Sequence, residues 1–207
     1  APIVFHILHD DTLNEMNKNK LSLIADNSGN GIEFHHFNPD IFGSLADSMN
    51  RFTIGAMFRI MLPDIMPDLK KIIYLDSDLF VNTDIEELWN INIDDYCLAA
   101  AQDCSTIRNW GTPYAVAAGQ TSRDRYFNSG VLCMNLDNIR ENGSLFQQVM
   151  DYLNDNPRTW LPDQDALNAI FSGKTLMVDE KWNYFIEKKK KNNEKVEKKI
   201  YHYAATL

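Results

Sequence analysis

The hydrophobic and polar positions of the amino-terminal segment predict a strand, a helix and a second strand. Residues 3–8 form a short apolar run that predicts a buried strand, and residues 32–37 predict another that ends at Asn38. The residues between them have helical spacing, with Thr12 as the expected N-cap and Gly29 at the end of the helix. The large apolar side chains on one face of this helix are Leu13, Met16, Leu21 and Ile24.

The central part of the chain predicts a further helix and three strands. Residues 52–62 are apolar with helical spacing, so we expect a helix that ends at Pro63 and has Arg59 as its only charged residue. Residues 69–75 predict a strand buried on both faces at its end, which is typical of a central parallel strand. Later apolar runs predict strands at residues 97–101 and 130–136.

Two more helices are predicted towards the carboxyl end, one ending at Pro157 and the other beginning at Pro162. Strands that alternate with helices indicate an α/β fold built around a layered sheet. The 207 residues contain no internal repeat and no linker rich in Gly, Ser or Pro. The pattern therefore predicts a single domain.

The composition narrows the classes of partner and compartment. The chain has 20 basic and 29 acidic residues, and its net charge of -9 argues against a broad surface for nucleic acid. Its three cysteines (Cys97, Cys104 and Cys133) lack Cys-x-x-Cys spacing, so we expect buried thiols in a reducing compartment rather than disulfides or a zinc site. No apolar run reaches the roughly 18 residues of a spanning helix, and we expect a cytoplasmic location.

One segment departs from this acidic composition. Residues 187–199 contain seven Lys and three Glu, a local charge of +4. The simplest interpretation is a solvated helix or loop. The alternative is a weak, salt-sensitive contact with an anionic membrane surface, which would place the protein at the inner face of the membrane.

An Asp-x-Asp motif follows the strand predicted at residues 69–75. The motif occurs twice, at residues 76–78 and 163–165, so its presence alone is not informative. The first copy lies at the carboxyl end of a predicted strand, where open α/β sheets bind their ligands. Asp76 and Asp78 could share one cation that binds a diphosphate, and turn or capping roles are the alternative.

Five sequence blocks follow one another in the order found in a known enzyme family. They are Phe58-Arg59; residues 71–78 with 84–89; residues 126–132 with Asn135-Leu136; residues 162–165 with Leu167-Asn168; and Trp182-Asn183-Tyr184 with His202-Tyr203. Together these blocks resemble glycosyltransferase family eight, which includes bacterial lipopolysaccharide galactosyl- and glucosyltransferases and the glycogenins.

The resemblance implies a GT-A fold, in which a mixed, Rossmann-like sheet is flanked by helices. It also implies transfer of a hexose, with retention of anomeric configuration, from UDP-glucose or UDP-galactose. The acceptor would be a glycan, a glycolipid such as lipopolysaccharide, or a glycoprotein. Asp76, Asp78 and His202 would ligate Mn2+, with Mg2+ as the alternative ion, because an imidazole beside carboxylates suits Mn2+ better. Without the resemblance, His202 would be interpreted as an ordinary strand histidine.

A donor-binding site is implied by the same resemblance. Arg59 would contact the donor through its guanidinium, the alternative being an ion pair with an acidic residue. Ser77 belongs to the same donor site, as does Ala205, which stands where family members usually have a Gly that lets the backbone approach the diphosphate. The side chains that would line the sugar pocket are Asp103, Asn128, Ser129, Asp163 and Gln164.

The catalytic step is expected to differ from that of a double-displacement glycosidase. The family pattern places Gln164 nearest the face opposite the leaving group, and an amide is a poor nucleophile. We therefore expect a same-face transfer in which the departing diphosphate helps to deprotonate the acceptor hydroxyl. Asp163 or Asp165 as the nucleophile is the alternative.

The ends of the chain depart from the family pattern. The resemblance matches the first strand to the second strand of family members, so we expect about 30 residues of a βα entry unit to be absent. The chain also stops before the usual Lys-Pro-Trp. We expect residues 1–207 to form one family domain that is truncated at both ends.

Two other functions are consistent with parts of the sequence. Haloacid dehalogenase-like phosphatases also place Asp-x-Asp after an apolar strand, but they usually carry Thr or Val where this chain has Phe80. The second alternative is a catalytically inactive domain that binds a nucleotide sugar.

Overall fold

The predicted alternation of strands and helices is present in the computed structural model, which describes residues 2–43, 54–103, 111–186 and 197–203. The Cα positions cluster into two units, Ala1–Arg59 and Ile60–Leu207. The expectations for Cys104, for Ala205 and for most of the lysine-rich segment, residues 187–196, lie outside the described residues. None of the helices in the described part of the chain is both long and apolar enough to cross a lipid bilayer.

Two parallel strands and one helix form the regular part of the first unit. Strand β1 (Val4–His9) pairs in parallel with β2 (Gly31–His36), and helix α1 (Glu15–Asn27) connects them. This order confirms the prediction. The expectation of a buried first strand is wrong, because His9 is the one buried residue of β1.

Helix α1 differs from its prediction at its start and on its apolar face. Its N-cap is Asn14, whose side chain accepts a hydrogen bond from the backbone N–H three residues later at 3.0 Å. Thr12 is not the cap, because its hydroxyl donates to Asp10 Oδ1. Ala25 is the buried residue of the helix, whereas Ile24 is 66% exposed. Spacing predicts an apolar stripe but cannot show what covers it.

Pro63 does not end the apolar segment as predicted. A 3-10 helix occupies Pro39–Phe42, a second occupies Ile54–Met61, and helix α2 (Leu62–Ile65) follows without interruption. Pro63 lies in the first turn of α2, where its missing N–H removes no intrahelical hydrogen bond. The proline therefore begins a helix instead of terminating one.

A mixed four-stranded sheet forms the centre of the second unit. Its strands are β3 (Lys71–Leu75), β5 (Leu98–Gln102), β6 (Phe127–Asn135) and β7 (Thr175–Val178), in the order β3-β6-β5-β7. Strand β6 is antiparallel to both neighbours, and β5 is parallel to β7.

Strand β3 was expected to be a central parallel strand, and this expectation is wrong. Within the described residues, β3 stands at the end of the sheet order and pairs antiparallel with β6. Its residues are only partly buried. The partner strand lies far along the chain, so an apolar run cannot report the direction of pairing.

A smaller sheet of three short strands joins distant parts of the second unit. Strand β9 (Ile200–His202) lies between β4 (Leu79–Val81) and β8 (Tyr184–Phe185). The β4–β9 pairing places Leu79 opposite His202. The end of the described chain is thereby brought next to the Asp-x-Asp turn at residues 76–78.

Helices surround these sheets in the remaining sequence. They are α3 (Ile85–Trp89), α4 (Tyr114–Ala117), α5 (Leu136–Glu141), α6 (Leu145–Asp155) and α7 (Pro162–Ile170), with a 3-10 helix at Glu180–Asn183. Helices α6 and α7 confirm two sequence predictions. Burial of apolar side chains from β5, β6 and these helices provides the main driving force for packing.

Strand β6 crosses this core, and eight of its nine residues are buried. Cys133 of β6 and Cys97 are free and buried, as predicted. Burial raises the pKa of the Cys133 thiol to about 11, so it behaves as an apolar side chain. Asn128 and Ser129 are buried on the same strand. Buried polar residues need partners, and those partners define the site.

Candidate functional site

Three side chains with ligand atoms for a cation meet at one end of β3. A carboxylate oxygen of Asp76, one of Asp78 and an imidazole nitrogen of His202 all lie within 4.8 Å of one another. His202 Nε2 is 3.3 Å from Asp78 Oδ1 and 4.0 Å from Asp76 Oδ2. Neighbouring ligands of an octahedral divalent ion are about 3 Å apart, so small side-chain adjustments suffice to share one ion.

Backbone hydrogen bonds hold the Asp-x-Asp turn from both sides. Asp76 N–H donates to the Gly130 carbonyl of β6 at 2.8 Å. The carbonyl of Asp78 accepts from Tyr203 N–H at 3.0 Å, directly after β9. The positions of both carboxylates therefore depend on the two sheets and not on the turn alone.

Side-chain contacts orient two of the ligands. Tyr74 OH donates to Asp76 Oδ1 at 2.7 Å, which leaves Oδ2 as the oxygen nearer His202. The His202 ring stacks on Phe185 with centroids 4.9 Å apart, and its Nδ1 lies 2.7 Å from Asn183 Oδ1. His202 is 2% exposed, so its orientation is decided by protein contacts.

Gly130 provides the space in which the ligands meet. A Cβ at this position would lie 2.7 Å from Asp76 Oδ2 and 3.0 Å from Asn128 Oδ1, and it would clash with the His202 ring. Only glycine leaves room for these three side chains. Together with the hard oxygen and imidazole donors, this space fits a divalent cation at Asp76, Asp78 and His202.

A register irregularity in β6 creates the adjoining group of buried polar side chains, which would form the sugar pocket of the family resemblance. Ala100 pairs with Leu132 and Gln102 with Phe127, so four residues of β6 lie opposite one residue of β5. The backbone N–H groups in this stretch are released to side chains. Ser129 N–H donates to Gln164 Oε1 at 3.1 Å, and Gly130 N–H donates to Asn128 Oδ1 at 2.9 Å.

Gln164, on α7, has hydrogen bonds at both ends of its amide. Its Oε1 accepts from Asn128 Nδ2 at 2.9 Å as well as from Ser129 N–H. Its Nε2 donates to Asp103 Oδ2 at 2.8 Å and to Tyr126 OH at 3.1 Å. These residues are buried, and Gln164 is 4% exposed. The pocket is therefore rigid, with its hydrogen-bond directions fixed.

Asp165 lies below this pocket and is fully buried. It accepts hydrogen bonds from Tyr126 OH at 3.0 Å, from Ala115 N–H at 3.1 Å and from the Thr159 hydroxyl at 2.5 Å. Burial raises the pKa of Asp165 despite these donors. Burial, followed by the nearby Asp165 carboxyl, likewise raises the pKa of Tyr126.

The structure brings most of the predicted site residues together in the second unit. Besides the three ligands, Asp103, Asn128, Ser129, Asp163 and Gln164 form one connected group, in which Ser129 Oγ donates to Asp163 Oδ2 at 3.0 Å. Ser77 is exposed in the turn between the two ligand aspartates. Arg59 belongs to the first unit, where its Nε donates to the Ala56 carbonyl at 2.7 Å.

Sequence reasoning did not assign roles to several residues that shape this site. They are Tyr74, Tyr126, Gly130 and Asn183. All four stand inside the sequence blocks that carry the family resemblance, which was the available signal. The roles of Tyr126, Gly130 and Asn183 depend on contacts with other elements and are not visible in any one block.

A second group of candidate metal ligands lies in the first unit. Ligand atoms of His6, Glu33 and His35 are within 4.8 Å of one another on adjacent strands β1 and β2. His6 Nδ1 and His35 Nε2 are 3.0 Å apart. Metal-binding measurements on this protein need to separate this group from the one at Asp76.

Comparison with known proteins identifies the family of this chain and several of its relatives. The sequence profile of glycosyl transferase family 8 matches residues 1–207. The chain is 30% identical over 172 residues to General stress protein A of Bacillus subtilis, a match that covers 81% of this chain and 58% of that protein. It is 32% identical over 165 residues to galacturonosyltransferase-like 4 of Arabidopsis thaliana, covering 73% and 47%. The chain thus spans about half the length of these curated relatives.

Among solved structures, the galactosyltransferase LgtC, in complex with donor and acceptor sugar analogs, matches with a TM-score of 0.80. The match covers 99% of this chain and 87% of that chain at 21% sequence identity. At this level of identity the likeness shows the fold. The fold is GT-A, an α/β arrangement with a mixed sheet flanked by helices, as the sequence predicted.

Proposed function

Because the chain belongs to glycosyltransferase family 8, we propose that it transfers a hexosyl group from a UDP-sugar to a glycan or glycolipid acceptor with retention of configuration. The observation that carries the proposal is the meeting of Asp76, Asp78 and His202, from distant parts of the sequence, beside a buried pocket of amides and carboxylates. An acidic chain of net charge -9 needs such a cation site to accept a diphosphate.

Mn2+ is the ion that this donor set favours, with Mg2+ as the alternative. Asp76 and Asp78 offer hard carboxylate oxygens, and His202 offers a borderline nitrogen that Mg2+ accepts less readily. When bound, the cation neutralises the negative charge that develops on the departing diphosphate. Asp76, Asp78 and His202 would hold it beside the buried polar side chains of Asn128 and Gln164.

The pocket favours a neutral hexose over a uronic acid. Asp103 and Asp163 place two buried carboxyl groups among the proposed sugar contacts. They can accept hydrogen bonds from vicinal hydroxyls but would repel a sugar carboxylate. The Arabidopsis relative is named for galacturonosyl transfer, so UDP-galacturonate is the informative competitor. We expect UDP-glucose or UDP-galactose to be the donor.

The hydrogen bonds around Gln164 and Asp165 support same-face transfer. Gln164 Oε1 already accepts from Ser129 N–H and Asn128 Nδ2, so it is poorly suited to attack a sugar carbon. Both oxygens of the fully buried Asp165 accept hydrogen bonds. Gln164 and Asp163 would then orient the donor sugar, and the departing diphosphate would take the acceptor proton. Asp163 as a nucleophile is the competing mechanism.

The family resemblance also assigns donor contacts to Arg59 and Ala205. The Arg59 guanidinium would contact phosphate or sugar oxygens of the donor, and the backbone at Ala205 would approach the diphosphate. Residues 187–199, with a local charge of +4, would add a weak contact with an anionic membrane surface. From the family resemblance we also propose a bacterial lipopolysaccharide acceptor and a peripheral cytoplasmic location.

The test is a donor screen with purified protein. UDP release is measured from UDP-glucose, UDP-galactose, UDP-N-acetylglucosamine and UDP-galacturonate, with Mn2+ or with EDTA. We expect the protein to turn over a neutral hexose donor. EDTA and Asp78→Asn should each abolish this turnover, whereas the exposed control Asp68→Asn should retain it. Gln164→Ala should keep measurable residual turnover, because it orients the sugar without attacking it.

Two results would contradict the proposal. Turnover that persists in EDTA would show that the reaction does not require a cation at Asp76 and Asp78. UDP-sugar binding without turnover of any donor would identify the inactive binding domain instead. The phosphatase alternative predicts an aspartyl-phosphate that fluoride or vanadate analogues trap, and it finds no support in a chain that matches family 8 over residues 1–207.

A further inference from the structure

We propose that Asn183 is a positioning residue that fixes the tautomer of His202, with the proton on Nδ1 and the free electron pair on Nε2. This inference rests on the proposed cation site at Asp76, Asp78 and His202. The inference states which imidazole nitrogen is free to bind the cation. It follows from a chain of hydrogen bonds that begins at the backbone of β6.

The first step is the orientation of Asn128. A backbone N–H can only donate, and Gly130 N–H lies 2.9 Å from Asn128 Oδ1. The other end of the same amide, Nδ2, donates to Gln164 Oε1 at 2.9 Å. The orientation of Gln164 is set in turn by Ser129 N–H, which donates to the same Oε1. Two backbone groups of β6 therefore determine which atom of Asn128 is oxygen.

The second step passes this orientation to Asn183. Asn128 Oδ1 can only accept, and the Asn183 amide group that faces it at 2.7 Å is therefore the NH2 group. Asn183 Oδ1 then points the other way, to Nδ1 of His202 at 2.7 Å. An amide oxygen cannot donate, so the hydrogen in this contact belongs to Nδ1.

The third step concerns the opposite side of the ring. With its proton on Nδ1, a neutral imidazole carries its free electron pair on Nε2, the nitrogen that faces Asp78 Oδ1 at 3.3 Å. Metal-binding histidines commonly have their second nitrogen bonded in this way. Here the acceptor is an amide oxygen, and its direction traces back to Gly130.

The three residues of this hydrogen-bond chain are buried. Asn183 and His202 are each 2% exposed and Asn128 is 8% exposed, so solvent competes poorly for these hydrogen bonds. The Phe185 ring, stacked on the imidazole, limits its rotation. Removing the Asn183 acceptor should let the imidazole place its proton on Nε2, where it blocks a cation.

The primary test reads the tautomer in the metal-free protein. Long-range 1H–15N correlation spectra of protein with 15N-labelled histidine, at a pH where His202 is neutral, report which ring nitrogen carries the proton. We expect His202 as the Nδ1–H form in the parent protein and a shift towards the Nε2–H form in Asn183→Ala. A parent spectrum with Nε2–H at His202 would overturn the inference without any variant.

Mn2+ affinity provides the second readout, measured by electron paramagnetic resonance of free Mn2+. We expect Asn183→Ala to weaken Mn2+ binding by about 10- to 100-fold. All proteins carry His35→Ala, so that the group at His6, Glu33 and His35 does not contribute. Asn183→Asp keeps an oxygen acceptor for Nδ1 and should retain the tautomer, but it loses the NH2 group that donates to Asn128 Oδ1, so it is compared with the parent protein by its tautomer alone.

Asn168→Ala is the matched control for loss of stability. Asn168 is 1% exposed and, like Asn183, its amide bonds at both ends, but to backbone groups of Phe127 and Gln164 and not to a side chain that would ligate the cation. If Asn168→Ala weakens Mn2+ binding as strongly as Asn183→Ala, the effect is only structural and the inference fails. Because the tautomer is read without metal or donor, it separates this inference from the proposed transferase activity.

Discussion

Gly130 is where strand β6 passes closest to the proposed ligands. Because Gly130 has no side chain, Asp76 and His202 can approach each other beside the strand, with His202 Nε2 4.0 Å from Asp76 Oδ2. Its carbonyl holds Asp76 N–H and its own N–H orients Asn128. One residue without a Cβ thus helps to position the Asp76 carboxylate and to orient the neighbouring Asn128 amide.

Replacing Gly130 with Ala should therefore damage cation binding more than folding. The added methyl would lie 2.7 Å from Asp76 Oδ2, and the carboxylate and the His202 ring would have to move apart. We expect Mn2+ affinity to fall at least about tenfold, or 1.4 kcal/mol, in a titration in which every protein also carries His35→Ala, so that the group at His6, Glu33 and His35 does not contribute. Gly31→Ala in β2 is the control, since its Cβ would meet the Val4 side chain at 3.3 Å, far from the ligands along the chain. Equal affinities in the two variants would contradict the role of Gly130.

At the residue scale, the sequence pointed to the candidate ligands better than to the residues that support them. Asp76 and Asp78 follow an apolar strand, and the family resemblance added His202. Asn183 stood in a recognised block but had no assigned role, because its function depends on Asn128 and His202 at its two ends. No local pattern reports a contact between residues so far apart in sequence.

Helix α7 shows how one element can join the pocket and the core. Its first turn carries Asp163 and Gln164 towards the pocket and Asp165 towards the interior, where Ala115 N–H and Tyr126 OH donate to it. A buried carboxyl group in this position ties α7 to α4 and to the start of β6. Its main role is to hold the element in place.

The raised pKa of Asp165 predicts the pH dependence of stability. The folded protein holds this proton more tightly than the unfolded chain, whose carboxyl titrates near 3.8. This stabilisation is complete below the unfolded pKa and is lost as pH rises through the folded pKa. Relative to Asp165→Asn, the parent protein should lose about 1.4 kcal/mol for each unit by which the folded pKa exceeds the unfolded one.

Urea unfolding between pH 4 and pH 7 measures this difference. The exposed variant Asp68→Asn serves as the control and should show a nearly flat difference from the parent protein. If the stability of the parent protein relative to Asp165→Asn instead increases with pH, the three hydrogen-bond donors outweigh burial and the carboxylate form stabilises the fold.

At the element scale, the sequence predicted which segments are strands and helices more reliably than how they meet. β1, β2, β5, α6 and α7 lie where the apolar spacing placed them. The spacing failed for β3, which pairs antiparallel, and at Pro63, which begins a helix. Strand pairing is non-local, and a proline at a first turn has the same sequence signature as one that ends a helix.

The net negative charge of the chain gives a bound cation a further role, which is to attract the diphosphate. With a net charge of -9 and a pocket that contains Asp103 and Asp163, the protein repels a free diphosphate. A divalent ion at Asp76, Asp78 and His202 would reverse that sign locally. In the proposed UDP-sugar donor, the sugar hydroxyls and the uracil base carry no charge and do not need the ion.

Metal removal should therefore weaken UDP binding and leave uridine binding unchanged. Isothermal titrations with Mn2+ and with EDTA compare the two ligands on the same protein. We expect UDP affinity to fall more than about tenfold, or 1.4 kcal/mol, in EDTA. A similar loss for uridine would show that the ion stabilises the protein as a whole and does not contact the diphosphate.

The sequence by itself determined the α/β class, the Asp-x-Asp motif at a strand end and the family, because apolar periodicity and ordered motif blocks are properties of the chain. The tertiary structure decided the rest. The break in register between β5 and β6 released backbone N–H groups to Asn128 and Gln164, and the β4–β9 pairing brought His202 to Asp78. Both depend on which strands pair, and strand pairing is settled by packing across the whole second unit.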